Sequence, residues 1–304
     1  MKIYMAPMEG ITGYTFRNIY RRTFEDADRY FTPFISYHQK FGNKVKNEIS
    51  PDNNVDMDLV PQIMITTAED ALVLEKMIGE YGYNHLNINI GCPSGTVVNK
   101  HRGAGMLRDP EKLDRILDEI YRNTGVQLSI KTRIGWSDPS EWEKIVNVYA
   151  GYPLSELIIH TRVREEFYSG KPHEEAMDIV ENLIKVPVIY NGDIFSVDDA
   201  EHIKEKYPWI DGVMVGRGVF KNPGLIGELK GKQAATDAQI YEFVTNLYDA
   251  YLEKFSSEIN TLYHMKEVWG FLGEKYPDNE KQLKVIRKTK SIAEYQSAVR
   301  AILC

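Results

Sequence analysis

A single internal thiol, Cys92, stands in the stretch LNINIGCPSG, between a glycine and a proline where an apolar run ends. The only other cysteine is the last residue, Cys304, so no disulfide framework accounts for it. A buried cysteine behaves as a small hydrophobe, but a turn lies at the surface, where a thiol can act as nucleophile or proton donor. Lys131 ends the apolar run QLSIK. An amine there is costly unless it snorkels to solvent, is paired, or works. Its chemistry would be stabilisation of a negatively charged ring or formation of a Schiff base. Gln62 in VPQIM and His160 in LIIHTR close two further runs. Each reads as a satisfied core residue or as a hand for a polar ligand edge. Asn191-Gly192-Asp193 and Gly216-Arg217-Gly218 follow the last two runs. Glycines let backbone N–H groups approach an anion and an arginine can grip it bidentately, so these turns together predict phosphate binding. No Cys-x-x-Cys or His-x-x-x-His spacing supports a metal site.

The elements that must position these residues follow from periodicity. Apolar runs near 2–6, 33–37, 59–64, 84–89, 127–131, 155–160, 186–190 and 211–215 predict eight strands. Between them 69–81, 110–122 and 197–206 predict helices; Asp109-Pro110 and Ser196-x-x-Asp199 are helix starts. Eight βα units in this length fit a (β/α)8 barrel, with a doubly wound sheet as the rival. A residue able to work stands at or just past every strand end: Met8, Tyr37, Gln62, Asn89, Lys131, His160, Asn191 and Gly216. In a barrel these meet at one rim, which favours an α/β fold of the TIM-barrel type. From about residue 233 the strands stop. The segments 237–256, 260–276 and 279–303 each read as one helix, so the expected domains are a barrel over 1–232 and an all-helical domain over 233–304.

Of the 304 residues, 43% are hydrophobic, enough for a sizeable core. No run of 18 apolar residues and no leader pattern is present, and two cysteines make the cytoplasm the expected compartment. The net charge of -7 argues against a protein that coats nucleic acid. Residues 281–304 depart from it, with Lys281, Lys284, Arg287, Lys288, Lys290 and Arg300 against Glu294 alone. Lys284, Arg287 and Lys288 recur at roughly helical spacing, which reads as a solvated face or a grip on RNA phosphates.

Taken in order, MAPMEGIT, NINIGCP, VVNKHRGAGML, SIKTRIG, IIHTRVREEFYSGKPH, VIYNGDI and VMVGRGVFKNP resemble the tRNA-dihydrouridine synthase family of flavoenzymes, along the whole barrel. The resemblance implies FMN as cofactor, NADPH as reductant and tRNA as partner, with no metal, membrane or obligate protein partner. It implies that Pro7, Met8, Gln62, Lys131, His160, Asn191, Asp193, Gly216 and Arg217 hold the flavin. Asn89, Arg133 and Arg162 would orient a uracil, and Cys92 would be the general acid. The loop 94–110 is long enough to act as a lid over Cys92. The competing expectations are the same chemistry on ribosomal RNA, a flavin barrel acting on a free pyrimidine, an RNA-binding protein without catalysis, and an aldolase built on Lys131.

Overall fold

The computed structural model describes residues 1–37 and 41–304. Among the described residues, ten strands form the barrel: β1 Lys2–Met5, β2 Tyr30–Phe31, β3 Ile35–Ser36, β4 Leu59–Val60, β5 Gln62–Met64, β6 His85–Ile90, β7 Gln127–Gly135, β8 Glu156–Val163, β9 Val188–Asn191 and β10 Gly212–Val215. All pairs are parallel, in the order β1-β10-β9-β8-β7-β6-β5-β3, with β2 paired to β4. The ring closes through the Tyr4–Arg29 bridge and the bonds Met5 N to Arg29 O (3.0 Å) and Asp28 N to Ile3 O (2.8 Å). The fold is a TIM barrel with a helical C-terminal region.

Two strand positions are split at a proline: the expected run 59–64 is broken within, and the run 33–37 is preceded by a piece that was not expected. Pro33 separates β2 from β3, and Pro61 separates β4 from β5. A proline has no N–H to give a ladder. Thr32 bridges the break, its hydroxyl accepting from Gln62 N at 3.0 Å. The second strand therefore begins at Tyr30, three residues before its expected start. The expected helix starts are present: Asp109 accepts from Lys112 N, and Ser196 and Asp199 form a reciprocal capping box.

The C-terminal region comprises helices Asp237–Phe255, Glu258–Leu272, Glu280–Lys288 and Ile292–Leu303. The single helix expected over 279–303 is two. Ser291 caps the second, accepting from Glu294 N, while Thr289 Oγ1 donates to Glu294 Oε2 and accepts from Ser291 N. Such local side-chain bonds compete with helix continuation.

These helices share the barrel's core. Phe243 meets Phe16 edge-on at 5.7 Å, Phe24 at 5.2 Å and Tyr20 at 6.2 Å, while Phe220 packs on Phe16 and on Phe271. Phe243 is fully buried. Phe243→Ala is therefore expected to cost about 3–5 kcal/mol. The check is a lower urea midpoint with an unchanged slope.

Candidate active site

Strand alternation aims every second side chain at the barrel axis, and the sequence places polar residues on that face at the C-terminal ends. Asn87 and Asn89 on β6, Lys131 and Arg133 on β7, and His160 and Arg162 on β8 are such pairs, with Gln62 on β5 and Asn191 on β9 beside them. Of these, Gln62, Asn89, Lys131, Arg133, His160 and Asn191 border a cavity of about 470 Å³. Pro7, Met8, Gln62, Asn89, Cys92, Lys131, Arg133, His160, Asn191, Asp193, Gly216 and Arg217 all line it. Lys284, Arg287 and Lys288 do not. Lys284 and Lys288 border an open groove between the last two helices, and Arg287 is exposed on the same helix.

Beneath the cavity runs a directional chain of amides. The backbone N–H groups of Gly91 and Cys92 donate to Asn89 Oδ1 at 3.1 and 2.9 Å. A backbone N–H can only donate, so this oxygen is fixed and Asn89 Nδ2 must face Gln62 Oε1, at 2.8 Å. Gln62 Nε2 then donates to Asn87 Oδ1 (2.8 Å), and Asn87 Nδ2 to Ser129 Oγ (2.9 Å). Asn89, expected to present its amide to a substrate, spends its oxygen and one hydrogen on the Cys92 turn and on Gln62.

Cys92 is half-buried, and burial raises its thiol above the ordinary range, outweighing the Ser94 N–H and the Arg133 charge. The thiol is kept protonated. The loop behind it is folded rather than an open lid: Gly103–Arg108 is a short helix, and residues 103–107 are buried. Gly103 has φ +53°, and a Cβ there would sit 2.9 Å from Cys92 O and 3.0 Å from Cys92 Cβ. Gly103→Ala is expected to displace Cys92, read as an altered alkylation rate of the thiol.

Lys131 Nζ donates to Asn191 Oδ1 at 2.9 Å, and Asn191 Nδ2 donates to Met214 O at 2.8 Å. Among the described residues no carboxylate pairs with Lys131. Burial, with the Arg133 charge adding, lowers its amine to about 7. His160 is pushed well below its usual range by burial and then by Arg133 and Lys131, so it is neutral. Its Nε2 lies 3.3 Å from Arg162 Nη1, a group that only donates, which leaves the ring hydrogen on Nδ1.

Both arginines are bonded to groups of the protein itself. Arg133 is buried and donates to Gly91 O, Val163 O and Phe167 O. Arg162 is fully buried, bonded to both oxygens of Asp193 and to Ser169 O and Gly170 O. It is absent from the cavity lining and braces His160 and Asp193, which are in it. Asp193 is likewise held by Arg162 and Arg217. Burial opposes its ionisation, but the two arginines outweigh this and keep its carboxyl below the usual range.

Several lining residues were not legible as site residues. Tyr168 stacks on His160 with centroids 6.2 Å apart. Phe34 and Phe195 add apolar wall, and Phe271 reaches the cavity from the helix Glu258–Leu272. The glycine after Ser169 was the only sequence sign of a turn presenting Tyr168.

The family model described as "Dihydrouridine synthase (Dus)" matches residues 4–299. A "Probable tRNA-dihydrouridine synthase" of Rickettsia prowazekii (strain Madrid E) is 29% identical over 60% of this chain and 58% of its own length. The chain thus spans less than two thirds of that relative. The "tRNA-dihydrouridine synthase B" of Pasteurella multocida (strain Pm70) is 28% identical over 74% of this chain and 67% of its own. "Probable tRNA-dihydrouridine synthase 1" of Synechocystis sp. (strain ATCC 27184 / PCC 6803 / Kazusa) is 30% identical over 75% and 64%. Among solved structures, morphinone reductase aligns with a TM-score of 0.54 at 12% identity, covering 78% of this chain and 87% of that one. A variant of NCR from Zymomonas mobilis gives 0.51 at 11%, covering 78% and 88%. These two likenesses concern the fold. With the family model spanning nearly the whole chain, the protein belongs to the dihydrouridine synthase family.

Proposed function

We propose that the protein reduces uridines in tRNA to 5,6-dihydrouridine, with FMN as its cofactor and NADPH as the source of electrons. The observation that carries the reading is one cavity lined by both a protonated thiol, Cys92, and a buried amine with no carboxylate partner, Lys131. Such an amine fits an electron-rich ligand that supplies the missing negative charge.

The residues fit an FMN. Pro7, Met8, Gln62 and Asn191 border the cavity, and His160 offers its Nδ1–H. Gly216 has room, since a Cβ there would touch only Ala6 Cβ, at 3.5 Å. Gly216 and Arg217 suit the phosphate, while Asp193 aims Arg217. Bound there, the flavin supplies the hydride that adds to uracil C6.

The chain's own residues do the rest. Lys131, held by Asn191, stabilises negative charge in the cavity. Cys92 gives its proton to C5, completing addition of two hydrogens across the C5–C6 bond. Asn89 fixes the turn that carries this thiol and keeps its second amide hydrogen for the substrate. Arg133 has three of its five N–H groups on backbone carbonyls, leaving the others for the uracil oxygens. Arg162 positions His160 and Asp193. The base must leave its stack to enter the cavity, so the RNA needs a second hold. The exposed Lys284, Arg287 and Lys288 supply it. The thiol and family membership count against a Schiff-base role for Lys131.

The test is reconstitution. Protein loaded with FMN and given NADPH and an unmodified tRNA transcript is expected to add the mass of two hydrogens at particular uridines. Protein that takes up no FMN, or a loaded enzyme that leaves the transcript unchanged, contradicts the reading.

A further inference from the structure

Beside the cavity, arginine and aromatic side chains alternate along the rim. The guanidinium carbon of Arg108 lies 3.6 Å from the Trp136 ring centroid, and that of Arg164 lies 4.7 Å from the same centroid. Arg164 also sits 4.7 Å from the Phe167 centroid. The next residue, Tyr168, lines the cavity, with Arg217 and Arg133 at 4.9 and 5.4 Å from its ring. The row runs from the outer surface to the mouth of the site.

Three features separate this row from an ordinary solvated face. Two guanidinium groups share one indole, and among the described residues no carboxylate is in ion-pair distance of either. Gathered like charges favour an anion between them. Phe167 and Tyr168 are 42% and 53% exposed, although Phe167 is held at φ +52°, a backbone region unfavourable to a side chain. Two buried arginines enforce this presentation, Arg133 donating to Phe167 O at 2.6 Å and Arg162 to Gly170 O at 2.6 Å. Finally, Arg164 Nε donates to Pro93 O at 3.1 Å, so the row abuts the turn that carries Cys92.

We propose that this row is a track for the single-stranded RNA flanking the reduced uridine. Arg108 and Arg164 take phosphates, while Phe167 and Tyr168 stack neighbouring bases. The inference rests on the functional reading above and adds to it a grip on the barrel itself, apart from the basic helix Glu280–Lys288. A uridine drawn out of its stack leaves neighbours without partners, and exposed aromatic faces accept any base.

The test uses the full FMN-loaded chain with Arg108→Gln and Phe167→Gly combined. Glutamine removes a charge without touching the Pro93 bond, and glycine adopts φ +52° freely. Binding of an unmodified tRNA transcript is measured across salt concentrations, with FMN uptake and RNA-free NADPH oxidation as controls. The expected result is at least about tenfold weaker binding, and a log–log salt slope shallower by about 0.7 for each lost phosphate contact. FMN uptake and RNA-free oxidation should stay as they are. R108Q alone, at an exposed position, should reproduce the slope change if the double variant folds poorly. Unchanged affinity and slope in R108Q and in a folded double variant would overturn the track. A raised KM for NADPH with intact RNA binding would make the arginines a dinucleotide-phosphate site and also overturn it. If the unsubstituted protein loads FMN but neither binds nor reduces the transcript, the functional reading falls and the track with it. If it does both and the variants match it, the track alone falls.

Discussion

Cys92→Ala is expected to lower dihydrouridine formation at least about 10²-fold, the usual contribution of a positioned proton donor. FMN content and RNA-free NADPH oxidation should persist, because the flavin contacts proposed here come from other residues. The pH dependence follows from the sign of the thiol's shift. Burial raises the Cys92 pKa above its ordinary range, and a donor works only while protonated. The Cys92-dependent contribution to the rate should therefore stay flat through neutral pH and fall only beyond the ordinary thiol range. Cys92→Ser, whose hydroxyl is a far weaker acid, should not restore it. Dihydrouridine formed at the unsubstituted rate by C92A would remove Cys92 from the chemistry, and a thiol alkylated as fast as a free cysteine at neutral pH would contradict its protonated state.

Lys131→Met should have two opposite effects. FMN binding should weaken, on the order of tenfold or more, because a buried amine facing the cavity is lost. The FMN-free protein should become more stable. Burial lowers the folded pKa of Lys131 to about 7, against about 10.4 in an unfolded chain. Between those values the unfolded state binds more protons, so this group makes stability rise with pH from about 7 to about 10. Below pH 7 the folded chain carries a buried charge without a counter-ion, and methionine removes it. Comparing unfolding midpoints of the two FMN-free proteins at pH 6 and pH 9 checks this. The gain from K131M should be larger at pH 6 than at pH 9. Equal gains, or a loss at both, would mean that the amine is not strained by burial.

Much of this arrangement was legible in the sequence, for identifiable reasons. Strand ends were readable because a residue able to work stands at or just past each apolar run, most of them polar, and the barrel converts that linear pattern into a ring. Helix starts were readable because caps are local, as at Asp109 and Ser196. The anchoring of Cys92 by Asn89 went unread although it is a contact over only three residues, because Asn89 was expected to face a substrate. What else escaped depends on distant partners. Arg133 was expected to orient a uracil, and nothing in the sequence showed that three of its donors go to carbonyls 30 to 42 residues away. The partners of Arg162, Asp193 and the turn at 169–170, are likewise distant in the chain or hidden in a loop. Pro61 lay within a run that otherwise looked continuous, and Pro33 opened its run, so the short piece of strand before it went unread. The single helix expected over 279–303 failed because Thr289 and Ser291 bond to their neighbours' backbone and side chains, which apolar periodicity does not register.

The barrel supplies rigid placement, and the wall contributed by Phe271 ties the C-terminal helices to the cavity. That link joins stability to function: loosening Phe243 should loosen Phe271 through Phe16 and Phe220. The charge pattern agrees, since an acidic body with local basic features directs RNA to particular surfaces and keeps it from the rest.

The central claim is that this cavity reduces uridine within tRNA. Its most direct test is mass-spectrometric mapping of dihydrouridine in total RNA, from cells lacking the gene and from the same cells carrying the unsubstituted or the C92A copy. The expected result is loss of dihydrouridine at particular tRNA positions, restored by the unsubstituted copy and not by C92A. Loss confined to ribosomal RNA, or no loss in any RNA, would contradict it.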